Sequence, residues 1–145
     1  MALFHIFNIA GSGMSAESVR LNTVASNLAN ADSVSSSAAT AYKARYPVFQ
    51  ALQASLLAPG GMTDPTPGAD AAVRVSDIVQ STAPGTARYE PGNPLADANG
   101  YVYSSNVNVV EQMADMISAS RAYQNNVQVL ETSKQLMLDT LKLGS

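Results

Sequence analysis

The sequence predicts a mainly α fold, in which two long terminal helices form an antiparallel coiled coil and a small irregular β-containing middle region lies between them. Three observations predict it. All seven prolines fall between Pro47 and Pro94, and six of the nine glycines between Gly60 and Gly100. The segments before about residue 31 and from about 106 to 143 therefore contain no proline, and glycine only at Gly11 and Gly13. Both segments carry apolar residues at alternating three- and four-residue spacing, the pattern of a heptad helix. A helix of about 35 residues spans about 52 Å, whereas a compact globule of this length is about 40 Å across. The molecule is therefore expected to be elongated.

The first helix, over residues 1–32, is carried by Leu3, Phe7, Ala10, Met14, Glu17, Leu21, Val24, Leu28 and Ala31. Gly11-Ser-Gly13 is its weak point, since each glycine costs about 1 kcal/mol relative to alanine, and a bend is expected there. In the middle region, residues 33–104, the alternation and β-branched content of Tyr42–Phe49 and Ala72–Val79 predict strands, with Tyr101–Tyr103 a shorter third. Ser33–Thr40 and Pro59–Ala69 read as low-complexity mobile loops. The last helix, within residues 105–145, repeats the seam at Val109, Met113, Met116, Ser120, Tyr123, Val127, Leu130, Lys134, Met137 and Leu141. Asn108 is a good N-cap, and Glu111 three residues later completes a capping-box pattern. Glu111 and Asp115 near the start of this helix and Lys142 near its end suit the macrodipole.

Composition excludes most chemistry. A net charge of −3, with eight basic residues scattered singly, is wrong for a sequence-independent nucleic-acid binder or an anionic membrane surface. The absence of cysteine excludes a disulfide framework, a thiolate metal site and a cysteine nucleophile. No apolar run is long enough to cross a bilayer, and the N-terminus lacks the basic region of a cleaved signal peptide. His5 lies in the apolar N-terminal end with no partner base or acid in view. Gly11-Ser-Gly13 lacks the Gly-Lys-Ser/Thr of a phosphate loop. Glu111 and Asp115 share a helix face at a spacing that can support a metal, but dipole complementation explains both. Met113, Met116 and Met137 read as adaptable packing on the seam. No catalytic residue, metal site, cofactor or small-molecule substrate is expected. What the chain asks for is a partner. Its most apolar stretches, around Leu3, Phe4, Ile6, Phe7 and Ile9 and around Leu136, Met137, Leu138, Leu141 and Leu143, point round most of the helix circumference at the two chain ends. A helix apolar all round is covered on several sides, and one hairpin cannot do that alone.

Both ends resemble a known family. Leu21-Asn-Thr-Val-Ala-Ser-Asn-Leu-Ala-Asn-Ala-Asp-Ser33 is similar to the N-terminal signature of bacterial flagellar rod and hook proteins, with its Asn-x-Ala-Asn-Ala core. The stretch from Ser105 to Asn126 resembles their C-terminal signature, and Tyr89–Val102 resembles a segment typical of proximal-rod members. Ser33–Thr40 and Leu57–Ala71 depart from any diagnostic pattern. The resemblance implies a structural subunit of the periplasmic rod, exported unfolded by the flagellar type III apparatus without signal-peptide cleavage. Its implied partners are further copies of itself, the other proximal-rod and distal-rod proteins, the rod-to-ring adaptor, the membrane-ring protein and the export apparatus. The terminal helices would pack as one domain around the export channel, with the middle region outside. On this reading Leu3, Phe7, Leu21, Val24, Leu28, Val109, Met113, Val127, Leu130, Met137 and Leu141 carry the intersubunit seam. Asn22, Asn27, Asn30, Asn106, Asn108, Arg121 and Tyr123 belong to the signatures, and the asparagines among them are candidates for fixing register. The alternatives are a different axial protein, against which Glu90-Pro-Gly-Asn-Pro94 argues, and a membrane-active coiled-coil effector, which would need basic residues beside its apolar ends.

Overall fold

The computed structural model describes residues 2–52 and 72–143, with side chains from His5 at the front to Lys142 at the back. The Leu57–Ala71 stretch and the side chain of Leu3 lie outside the described residues. The element order is α1 (Ala2–Ala29), β1 (Val34–Ser35), β2 (Arg45–Leu52), β3 (Ala72–Gln80), β4 (Ala87–Tyr89), β5 (Tyr101–Ser104) and α2 (Val109–Leu143).

α1 runs unbroken through Gly11-Ser-Gly13, where a bend was expected. Tertiary packing explains this. Ser12 Oγ donates to the Ile9 carbonyl at 2.8 Å and accepts the Val73 N–H of β3 at 3.1 Å, so the weak point is tied to a strand. A Cβ on Gly13 would come within 2.8 Å of the Asn126 side chain, so this glycine is where α2 lies closest. α2 begins as its sequence predicts: Asn108 Oδ1 accepts the N–H groups of Val110 and Glu111 at 3.1 and 3.4 Å, satisfying two orphan donors of the first turn.

The description as mainly α with an irregular middle needs correction. Two antiparallel sheets stand between the helices, one of three strands in the order β1-β5-β4 and one a hairpin of β2 and β3. The hairpin pairs Arg45 with Gln80 through to Leu52 with Ala72, with one irregularity between Val48 and Phe49. Pro47 is tolerated because the hairpin has only two strands and both have a free edge. Ser33–Thr40, expected to be a mobile loop, instead contains β1, which pairs Val34 with Ser104 and Ser35 with Tyr103. It is closed by hydrogen bonds of Thr40 to Ser35 and Ser37. β1 and β4, of two and three residues, were too short for alternation to register.

The long heptad coiled coil is also overturned. The helices do run antiparallel, since Asn27 meets Gln112, Arg20 meets Asp115 and Gly13 lies against Asn126. The residues buried along them, however, are mostly small or polar: Ala10, Ala16, Thr23, Val24 and Asn27 on α1, and Gln112, Ala119 and Ser133 on α2. A 3.5-residue period selects large apolar knobs, whereas a close contact over Gly13 selects side chains that let two backbones approach. The core sits where both helices meet the strands and includes Val24, Ala41, Ala44 and Val102.

Candidate assembly surface

Asn27 organises this junction. Its side chain is 0% exposed, and its amide pairs with the backbone of one residue in β2: Nδ2 donates to the Arg45 carbonyl at 2.8 Å, and Oδ1 accepts the Arg45 N–H at 2.9 Å. Tyr42 donates its hydroxyl to Oδ1 at 3.0 Å, and Nδ2 also donates to Gln112 Oε1 of α2 at 2.8 Å. Both donors and both acceptor sites of the amide are thus used. Asn106 makes a second junction, accepting the Ala44 N–H and donating to the Ala83 carbonyl, each at 2.7 Å. Asn30 turns back onto the Ser26 carbonyl of its own helix. Asn22, Arg121 and Tyr123 lie exposed on the helices.

The seam residues fall into three groups. Val24 is buried within the chain; Phe7, Leu21, Leu28, Val109, Val127, Leu130 and Met137 are half-buried; Met113 and Leu141 are exposed, at 50% and 65%. Ile6, Ile9, Leu136 and Leu138 are exposed as well, so much of the apolar surface at both chain ends stays uncovered. Sequence reasoning missed Val110 and Ile117, 76% and 56% exposed on either side of Met113. At about 100° per residue these three form a stripe roughly opposite the face of Gln112 and Ala119. Their three- and four-residue spacing was a signal, but it lay one face away from the heptad that was followed. Such an uncovered stripe is chemically inert and suited to burial against another apolar surface.

The β4–β5 connection, residues 90–100, folds on itself. Asp97 Oδ1 accepts the N–H groups of Asn99 and Tyr101 at 2.8 and 2.9 Å, and Oδ2 accepts the Tyr103 hydroxyl at 3.3 Å. Gly100 has φ +81°, and a Cβ there would press on the Tyr89 ring, which packs edge-to-face on Tyr101 at 5.3 Å. The Tyr101 N–H bond, foremost among these contacts, holds the Asp97 carboxyl below its ordinary 3.8. The bound form of the loop is therefore fully stabilised above pH about 4 and loses that stabilisation as pH falls through the lowered value. The Asn99 and Tyr101 amides should lose hydrogen-exchange protection below that pH, after correction for intrinsic rates, while α2 amides near Ala119 keep theirs. Equal protection of all of them down to pH about 2 would remove this role from Asp97.

Elsewhere, burial first, then the negative charges of Glu111 and Asp115, raise the Tyr46 phenol above its usual range, so it remains a protonated donor. Among the described residues no three His, Asp or Glu side chains gather as a metal site, and no helix is long and apolar enough to cross a membrane.

Residues 7–35 match the family described as "Flagella basal body rod protein", and residues 98–143 match "Flagellar basal body rod FlgEFG protein C-terminal". The matched segments cover most of α1 and all of α2, the helices that carry the uncovered stripe. The flagellar basal-body rod protein FlgC of Escherichia coli O6:H1 is 52% identical over 144 residues, covering 99% of each chain. That of Salmonella typhimurium is 51% identical over the same length and coverage, and that of Buchnera aphidicola subsp. Schizaphis graminum is 42% identical over 148 residues, again 99% of each. End-to-end identity of this order, with both helical signatures in place, shows that the chain belongs to the flagellar basal-body rod protein family.

Proposed function

We propose that the chain is a non-enzymatic subunit of the proximal rod, assembling through its terminal helices into the hollow shaft that surrounds the export channel and transmits torque. The observation that carries this reading is the apolar surface left uncovered on both helices, from Ile6 and Ile9 to Val110, Met113, Ile117 and Leu141. A soluble monomer rarely presents so much of it in one region. With few charges along the same helices, like-charge repulsion between copies is small. The full-length relatives carry the name of a basal-body rod protein, which supports the location.

In this reading residues 1–32 and 105–145 act as one helical unit lining the channel, and residues 33–104 lie outside it. The seam comprises Leu3, Phe7, Leu21, Val24 and Leu28 on the first helix, with Val109, Met113, Val127, Leu130, Met137 and Leu141 on the second. Neighbours are further copies, the other proximal-rod and distal-rod proteins, the rod-to-ring adaptor and the membrane-ring protein. The chain reaches the periplasm through the type III apparatus without a cleaved signal, and its exposed helix faces gain their full packing only on docking. An epitope-tagged chain that supports swimming tests this. It should copurify with detergent-extracted basal bodies, at the rod, with its N-terminal sequence intact. A tagged chain that supports swimming yet stays wholly outside the basal body would overturn the proposal.

A further inference from the structure

A recess of about 350 Å³ lies between α1, α2 and β2, and Gln112 lines it. Gln112 is 1% exposed, and its Nε2 has no hydrogen-bond partner. Rotating the amide does not relieve this. The Arg45 N–H and carbonyl fix which atom of Asn27 is oxygen and which is nitrogen, so Asn27 must donate to Gln112, and the Gln112 atom facing it must be the oxygen. Two N–H bonds of Gln112 are therefore buried beside the recess with nothing to accept them. A buried donor left so is unfavourable, and native structures rarely keep one without a reason.

The walls say what would satisfy it. Val24, Pro47 and Phe49 give the recess apolar sides, and Phe49 is exposed. At its polar side Arg20 is already bound to Asp115 at 2.9 Å, and the negative charges of Asp115 and Glu111 both act on Tyr46. A carboxylate would meet those charges, whereas a neutral carbonyl would not. We propose that this recess is a docking site for an uncharged carbonyl group, of a backbone peptide or an Asn or Gln side chain, presented by a second copy of this chain, with Gln112 Nε2 as the donor that receives it. The inference rests on the rod-subunit reading. It adds to the helix seam a polar contact that fixes the register between copies, because a donor in a recess accepts a carbonyl at one position, whereas an apolar stripe tolerates sliding.

The test places the photo-crosslinking residue p-benzoylphenylalanine at Phe49 of the full-length chain, in cells that swim with it, followed by irradiation and mass spectrometry of purified basal bodies. A crosslinked dimer joining Phe49 to a second copy of this chain is expected. Gln112→Glu keeps an oxygen for Asn27 and sets a second oxygen where the NH2 group was, and it should lower the dimer yield at least tenfold. If Gln112→Glu lowers the thermal midpoint of the free chain, Gln112→Met, which removes the donors without adding charge, takes its place and should do the same. A chain that enters the basal body but gives no Phe49 dimer, or a dimer unaffected by a folded Gln112 variant, overturns the docking site and leaves the rod reading standing. A chain absent from the basal body removes both.

Discussion

Leu141→Asp should leave the free chain as stable as its parent and abolish rod assembly. Leu141 is 65% exposed near the end of α2, past Ser133, which shares the last recess with Ile6 of α1. Substitutions at such exposed positions usually change stability by less than about 0.5 kcal/mol. Within a subunit interface the same change removes a leucine, worth about 2 kcal/mol when fully buried, and leaves a carboxylate to be desolvated without a partner. Together these are on the order of 4 kcal/mol per contact, or roughly a thousandfold in affinity. Secretion should be retained, because export does not require the folded interface. The expected result is a variant protein found in the periplasm and medium at near-parental amounts, with few or no completed rods and non-swimming cells. Leu141→Met, which preserves volume and apolarity, should swim. Normal swimming of Leu141→Asp would remove Leu141 from the seam.

Both helices were legible because proline is excluded from them and because Asn108 marks the start of α2 with an ordinary cap. The way they meet was not legible. Heptad counting weighs side chains by apolarity, but the contact is set by Gly13 against Asn126 and by Asn27 against Gln112, where small size and amide geometry matter more than hydrophobicity. Two of the three predicted strands appear within a few residues of their expected ends, since their alternation is long enough to read. β1 and β4 exist because β5 offers a partner on each side, which is a property of the fold and not of two- or three-residue sequences. The same distinction runs through the assembly surface. Asn27 could be singled out as a register residue from the signature alone. Its partners, Tyr42, the Arg45 backbone and Gln112, lie 15, 18 and 85 positions away. Gln112 carried no signal of its own, because a glutamine on a helix is ordinarily a solvated residue.

Asn27→Ala should be the most damaging single change to the isolated chain. It removes a side chain with no exposure and leaves the Arg45 N–H, the Arg45 carbonyl, the Tyr42 hydroxyl and Gln112 Oε1 without their present partner. A buried polar group stripped of its hydrogen bond costs about 1–3 kcal/mol, and some of the four will relax toward water or one another. A net loss of about 3–4 kcal/mol is expected, which lowers the thermal midpoint by roughly 10 °C for a chain of this size. Asn27→Asp is the informative companion. Its carboxylate still accepts the Arg45 N–H and the Tyr42 hydroxyl, and the Gln112 amide can turn over to offer Nε2 to the new oxygen. Only the Arg45 carbonyl then faces an acceptor. Asn27→Asp should therefore lose clearly less than Asn27→Ala at neutral pH, in urea unfolding followed by circular dichroism. The Gln112 turnover gives the comparison a second readout, since it removes the free donor from the recess. Asn27→Asp should accordingly lower Phe49 crosslinking even in chains that remain folded. If Asn27→Ala unfolds at the same urea concentration as the parent, the junction is not held by this amide, and the forced orientation of Gln112 falls with it.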